Sequence, residues 1–352
     1  MKRFALLFLI LILLLSMALP TYAAGTAFSD QDEIRHESAV AVLTDLGLIS
    51  GFSDGSFQPA EPIKREQIAK LIALLCTDEI PQTQYVDFAD VETTSWAIPY
   101  IAYCEQRGII VGSNGLFRPK DNVTAQELAK MLLVVLGFDA ERYTGREWAA
   151  NVMSDAEKCR LYHGLSGSNT REICRDDACR MILNALQSSA IVGFDGEDAI
   201  FALDDLMNVQ TFMEYRYGVQ RYSGMLAANE EGSLIGKGKL EEGQTKLLGL
   251  KTFEVSSDAS LLGQMVAVYL KDGEVIGLPC VVPEQTSECF EQLADLQKLM
   301  DIAGFSISED ALFFLNAKKT TAQVLEKLPS AYTVTVYDHD GDLCYDVVMV
   351  KT

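Results

Sequence analysis

The segment Gly47-Leu48-Ile49-Ser50-Gly51-Phe52-Ser53-Asp54-Gly55-Ser56-Phe57-Gln58-Pro59 returns about 60 residues later as Gly108-Ile109-Ile110-Val111-Gly112-Ser113-Asn114-Gly115-Leu116-Phe117-Arg118-Pro119. A motif recurring at this period marks copies of one supersecondary unit, each too small to bury its own apolar face. After each copy, apolar residues fall at i, i+3, i+4 and i+7: Ile68, Leu71, Ile72 and Leu75, then Leu128, Met131, Leu132 and Val135. That spacing is the single stripe of an amphipathic helix. A third stripe, Ala178, Met181, Ile182 and Ala185, follows the second by about 50 residues, so its preceding turn is shortened. A further helical segment lies upstream of each stripe, at 36–46, 96–107 and 148–162. Each unit reads helix, Gly-rich turn, helix, and three of them are expected to pack around a shared axis.

The turn has its own chemistry. Gly51 and Gly112 stand where the chain needs either a positive φ or a close approach, and Asp54-Gly55 and Asn114-Gly115 are strong turn pairs. Phe57 and Phe117 supply an aromatic anchor two residues before Pro59 and Pro119. Asp54, Gly55, Phe57, Gly115 and Phe117 are therefore expected to build the turn and core rather than touch a ligand. Trp96 and Trp148 open first helices of units two and three and are also expected in the core, with sugar stacking as the lesser role.

Several of these residues resemble the S-layer homology (SLH) repeats of Gram-positive surface proteins, over roughly residues 28–187. The resemblance rests on Phe28-Ser29-Asp30 and Phe88-Ala89-Asp90-Val91 at the unit starts, on Trp96-Ala97, on the Gly-x-x-x-Gly turn with its Phe and Pro, and on the opening of each second helix. It divides the chain into repeats at 25–84 and 85–143 and a degenerate one at 144–190, which lacks the Phe-x-Pro turn but keeps Trp148, Asn151-Val152 and Asn184-Ala185-Leu186. It implies a mainly α, pseudo-threefold bundle that binds secondary cell-wall polysaccharide, often pyruvylated, in grooves between repeats. It also implies that a Thr-Arg pair at the start of the second helix helps hold the acidic sugar. The chemistry is suitable, since a helix N-terminus offers N–H groups and partial positive charge, and a guanidinium can hold a carboxylate through two parallel hydrogen bonds.

No copy keeps both members of that pair. The three openings are Ile63-Lys64-Arg65-Glu66-Gln67, Val123-Thr124-Ala125-Gln126-Glu127 and Ile173-Cys174-Arg175-Asp176-Asp177. Arg65 and Arg175 are the expected polysaccharide-binding residues, with Lys64 as a second cation and Thr124 forming a capping box with Glu127. Removing one partner of a desolvated charge pair costs about 2 to 5 kcal/mol. The Ala125 copy is therefore not expected to hold an acidic sugar through that position.

Met1-Lys2-Arg3, an apolar run from Phe4 to Leu19 and then Pro20 to Gly25 read as a secretory signal peptide spanning residues 1–24, cleaved near Ala23 or Ala24. The mature protein is expected outside the membrane, at the cell wall or S-layer surface. The formal net charge is −21, and losing Lys2 and Arg3 makes it more negative still, which excludes nucleic acid as a partner. Binding to an anionic wall polymer must then depend on local cationic pockets. The eight cysteines form no zinc spacing and are expected to be mostly small buried hydrophobes, with one or two disulfides as the alternative.

From about residue 200 to 352 the texture changes. Arg221–Leu226, Thr252–Val255 and Met265–Leu270 read as strands between Gly-containing turns, residues 284–302 and 321–327 as helices, and Tyr332–Tyr337 with Tyr345–Val350 as a hairpin. A small α+β domain with antiparallel strands is expected. Asp338, Asp340 and Asp342 imitate the start of a calcium loop, but the following residues offer neither the glycine at position six nor the acid at twelve, which favours an ordinary Asp-Gly hairpin over calcium. No other metal or cofactor is expected. His36, His163 and His339 lie in no catalytic pattern, and His36 reads as structural. The resulting expectation is a non-enzymatic, wall-anchored protein whose C-terminal domain makes protein or lattice contacts. A wall-anchored hydrolase and an S-layer lattice subunit are the alternatives.

Overall fold

The computed structural model describes residues 28–352 apart from 80, 84, 197, 237, 283, 284, 305, 326, 329 and 330. The proposed leader lies outside the described residues. The first half is helical: α1 (Glu37–Asp45), α2 (Arg65–Cys76), α3 (Ile98–Gln106), α4 (Ala125–Val135), α5 (Trp148–Lys158) and α6 (Arg175–Gln187) form three successive pairs. The apolar stripes of α2, α4 and α6 meet in one core, with Ile68, Ile72, Leu128, Leu132, Met181 and Ile182 fully buried.

Backbone hydrogen bonds close the three units into a ring. The Ile63 N–H donates to the Ile173 carbonyl at 3.0 Å, Ile173 to Val123 at 2.9 Å, and Val123 to Ile63 at 3.0 Å. One step along, the first N–H of each second helix donates to the neighbouring unit: Arg65 to Asp121, Ala125 to Arg171 and Arg175 to Glu61, at 2.9 to 3.1 Å. The third unit takes its place in this cycle although its turn is shorter.

The turns show why glycine is required. A Cβ on Gly51 would stand 2.7 Å from the Phe28 ring and 2.8 Å from the Ser56 carbonyl, and one on Gly112 would collide with Phe88 and sit 2.8 Å from the Leu116 carbonyl. Close approach is therefore the reason at both positions. Gly55 and Gly115 instead hold φ of 82° and 72°.

The second half is strand-rich. A hairpin, β1 (Ile191–Asp195) with β2 (Asp198–Phe201), leads through the short helix α7 (Phe212–Tyr217) into two five-stranded sheets. The first runs β5-β4-β3-β6-β7 and is antiparallel throughout, built from β3 (Gln220–Asn229), β4 (Thr245–Leu247), β5 (Thr252–Phe253), β6 (Met265–Lys271) and β7 (Glu274–Val281). The second runs β10-β9-β12-β11-β8, from β8 (Thr286–Phe290), β9 (Ser306–Leu315), β10 (Lys318–Thr320), β11 (Thr333–Asp338) and β12 (Cys344–Lys351).

Three details of this region differ from expectation. β9 and β12 are parallel, because β10 and the chain after it return β11 to the far side of β12. The segment expected to be helical from 284 is split: β8 comes first, and helix α8 covers Leu293–Ala303. Ser287, Cys289 and their neighbours pair with β11, and that pairing overrides local helix preference. The second expected helix shortens to α9 (Ala322–Leu325).

The helical and strand-rich halves share one core. Tyr269, Ile276, Cys280 and Val282 of the first sheet belong to the same apolar cluster as α1 and α6. At the closest point Gly277 of β7, with φ 64°, passes against α1, where a Cβ would lie 2.8 Å from the Val42 backbone, and its N–H donates to Asp45 at 2.7 Å. Gly277→Ala should destabilise the protein by more than about 2 kcal/mol, through combined positive φ and overpacking. Gly273→Ala, also at positive φ but in open space, should cost about 1 kcal/mol. Chemical denaturation of the two variants in parallel checks the difference; equal costs would mean that the α1 contact is not tight.

Candidate groove between repeat units

Each interface sets the start of one second helix against the turn of the next unit. In the first, Arg65 Nε donates to the Phe117 carbonyl at 2.9 Å and an Nη to Val111 at 3.3 Å, while the guanidinium lies 5.1 Å from the Phe117 ring. Arg175 repeats this on the first unit, donating to Phe57 at 2.9 Å and Ser50 at 3.2 Å, and sits 4.7 Å from the Phe57 ring. Both arginines are largely buried, and burial lowers the pKa of each guanidinium. They clamp the neighbouring turn with part of their five N–H groups, and Arg65 also faces the Glu127 carboxylate at 3.8 Å.

The turns are held from within by aspartates. Asp30 accepts from the Phe57 and Gln58 N–H groups, and Asp90 from Phe117 and Arg118, all at 2.7 to 2.8 Å. These bonds support Gln58 and Arg118 at φ 57° and 60°, a conformation that a non-glycine residue adopts at a cost. Asp54 accepts from Ser56 through both N–H and hydroxyl, and Phe57 and Phe117 are fully buried.

The third interface differs. Ala125 has no side chain to reach across, and the shortened turn is fastened by its own Arg171, which donates to Ser166 at 3.1 Å and to Asp177 at 2.5 Å. Asp177 also receives Arg35 at 2.7 Å and faces His36 at 3.2 Å, while Asp176 pairs with Arg35 at 3.2 Å. His36 is thus tied into an ion-pair network.

The groove at the Arg65 interface encloses about 640 Å³. Arg65, Arg118 and Lys130 line it together with Asp121 and Glu127; Trp148 adds aromatic surface, and the buried Tyr143 ring stands behind it. Three cations against two carboxylates make it locally positive in a chain of net charge −21. Arg118 and Lys130 were not singled out by sequence. Arg118 was visible as the middle of Phe-Arg-Pro, and Lys130 lies one helical turn beyond Glu127, which brings it to the same face.

The expected site residues do not all converge. Arg65 lines this groove, but Arg175 serves the interface with unit one; Trp148, expected in the core, packs partly buried against that core and also lines the groove. Lys64 turns its ammonium to Asn122 at 2.5 Å. Thr124 is absorbed in capping: its hydroxyl accepts from the Glu127 N–H at 3.2 Å, and its own N–H donates to Glu127 at 2.9 Å. Trp96, expected in the core, is 51% exposed, because Ala97 takes the buried position at the start of α3 and turns the indole outward. Nor does either arginine-bearing helix start offer free amides at its first two positions, since Glu66 and Asp176 donate to the Pro119 and Pro59 carbonyls.

At the C-terminal turn, Asp338 is buried and accepts from Gly341 and Leu343 at 2.7 and 3.1 Å. Asp342 accepts from Cys344 instead, so the carboxylates within reach of one another are Asp338, Asp340 and Asp346. The arrangement is a hairpin turn braced by its own acids.

Asp155 lies behind the groove, where it holds Tyr143. It is 1% exposed and accepts from Arg142 at 2.6 Å, Lys158 at 2.9 Å and the Tyr143 hydroxyl at 3.1 Å. Burial raises its pKa, but Arg142 and Lys158 outweigh that effect and hold it below the usual carboxylate range. A group depressed in the folded state adds stability above its unfolded pKa of about 3.9, and that stability is lost as pH falls through the folded value. Asp155→Asn should therefore melt lower than wild type at neutral pH, with the gap closing below about pH 4. Melting curves across that range test this; a constant gap would deny the carboxylate its charge-based role.

The S-layer homology domain model matches residues 27–69 and 87–129. An uncharacterised cell wall amidase of Bacillus anthracis is 36% identical over 86 residues, 24% of this chain and 16% of that protein. A surface layer protein of Brevibacillus choshinensis is 22% identical over 286 residues, 73% of this chain and 25% of that protein. An S-layer protein of Bacillus thuringiensis subsp. finitimus is 27% identical over 124 residues, 35% of this chain and 15% of that protein. The chain spans at most a quarter of the length of these relatives.

Proposed function

We propose that this chain, a cell-surface protein containing S-layer homology domains, is held on the cell wall by an acidic secondary polysaccharide, of which a pyruvylated polymer is one form, bound between its helical units. The observation that carries the reading is the Arg65 groove, where Arg65, Arg118 and Lys130 stand beside Trp148. A carboxylate on a sugar would meet the cations, and the apolar face of the ring would meet the Trp148 side chain. The Arg175 interface is a second binding position. The Ala125 interface has no such cation from its helix and serves to close the ring.

The strand-rich half is proposed to be displayed without catalysis, packed rigidly against the anchoring units and open to protein or lattice contacts. Anchoring is compatible with relatives as different as an amidase and S-layer proteins, since an anchor is indifferent to what it carries.

Full-length mature protein should bind purified wall sacculi and lose binding once the non-peptidoglycan polysaccharide is removed chemically. Lys130→Gln, which leaves the turn clamp intact, should weaken binding about tenfold, and Arg65→Ala by at least as much. Binding that survives removal of the polymer would reject the proposed ligand. Folded Lys130→Gln and Arg65→Ala proteins that bind like wild type would reject the groove.

A further inference from the structure

A second cavity, of about 630 Å³, lies where the third unit meets the β1–β2 hairpin. It is at the far end of α6 from Arg175: Gln187, the last residue of that helix, lines it. The hairpin residues that line it are Ile191 with its partner Phe201 and Phe194 with its partner Ala199. Directly paired residues lie on the same side of a sheet, so one face of the hairpin forms a wall of this cavity. Phe194 and Phe201 nevertheless remain partly open to solvent. The end of the second unit contributes Arg142 and Asp139, and the third unit contributes Lys158, Arg160 and Asp155. Three cations, two carboxylates and aromatic surface within a similar volume repeat the chemistry of the Arg65 groove, in a chain whose overall charge is strongly negative.

The two cavities are tied to each other through one buried carboxylate. Arg142 lines one and Tyr143 the other, and the same Asp155 oxygen accepts from both, at 2.6 and 3.1 Å. A single buried carboxylate therefore sets the positions of consecutive side chains at two chemically matched spaces. We propose that the hairpin cavity is a second subsite for an acidic saccharide, taking further residues of a chain whose first residues occupy the Arg65 groove. A pyranose has apolar C–H faces and a polar, here anionic, rim, and Phe194 with Phe201 and the cluster of Arg142, Lys158 and Arg160 offer the complementary surfaces. Asp155 acts as a positioning residue for both subsites. This inference rests on the saccharide reading of the Arg65 groove.

The test uses the full-length mature protein and wall polysaccharide released from sacculi and fractionated by length. Affinity is measured for short and long fragments with wild type, Arg160→Gln, Phe201→Ala, the cavity-filling Ala199→Trp, and Arg65→Ala, each first checked for an unchanged melting curve. Wild type should prefer long fragments by about tenfold. The hairpin-cavity variants should lose that preference and keep wild-type affinity for short fragments, whereas Arg65→Ala should weaken both. Folded Arg160→Gln and Ala199→Trp proteins that still prefer long fragments would overturn the second subsite and leave the first intact. Arg65→Ala binding short fragments like wild type would overturn the parent reading instead. Failure of every fragment to bind wild type would remove both.

Discussion

Three backbone hydrogen bonds, Ile63 to Ile173, Ile173 to Val123 and Val123 to Ile63, make one closed cycle at the centre of the helical half. All three residues are buried, so each N–H and carbonyl in the cycle would be orphaned if one unit moved away, at about 1 to 3 kcal/mol per unsatisfied group. The consequence is cooperativity. A helix pair cannot leave the ring without exposing the edges of both neighbours, and a unit with a poor turn can be retained as long as it completes the cycle. That is the position of the third unit, whose backbone makes the same bonds through Ala125 to Arg171 and Arg175 to Glu61.

The same closure decides where chemistry is possible. The ring takes up the first two amide N–H groups of the helices that begin at Arg65 and Arg175, and so removes the anion-binding amides that a helix start ordinarily offers. What remains is the side chain that follows the ring outward. Arg65 and Arg175 occupy that position and spend some of their donors on the next turn, which places the guanidinium rigidly before any ligand arrives. A preorganised cation loses less conformational entropy on binding than a mobile surface lysine. Lys64, by contrast, is drawn off to Asn122, although sequence position alone made it a neighbour of Arg65.

The legible part of the fold was the part that repeats. Two copies of Gly-x-x-x-Gly with Phe and Pro, and three stripes at helical spacing, specified helix pairs because local chemistry and tertiary demand agreed there. The Glycine pair Gly51 and Gly112 could be read as positions of constraint, yet only the placement of Phe28 and Phe88 shows that the constraint is proximity rather than dihedral angle. Trp96 was misplaced because a tryptophan beside a buried alanine carries no mark of which of the two faces inward. In the strand-rich half, β8 was concealed by a segment that continues into the helix α8, and its strand character arises from pairing with β11 some 45 residues later. The groove was half legible: Arg65 and Trp148 could be named from the repeat, whereas Lys130 and Tyr143 reach it through helix phase and through a connection whose path the sequence does not encode locally.

The junction of the two halves bears on what an anchor can transmit. Gly277 against Val42, Asp45 accepting from the Gly277 N–H, and a bidentate pair from Arg216 to Asp78 at 2.9 and 3.2 Å fasten the first sheet and its leading helix to unit one. Tyr217 adds a hydrogen bond to the Leu75 carbonyl at the end of α2. These contacts sit on a shared apolar core rather than on a solvated linker, so the sheets cannot pivot freely about the bundle. Units linked in this way hold the strand-rich half at a fixed angle to the helical bundle, and the hairpin β1–β2, lying between them, is positioned by both. Under the proposed reading, a saccharide occupying both cavities would touch the helical bundle and the first element of the strand-rich half at once, and its binding would be coupled to the orientation of that half.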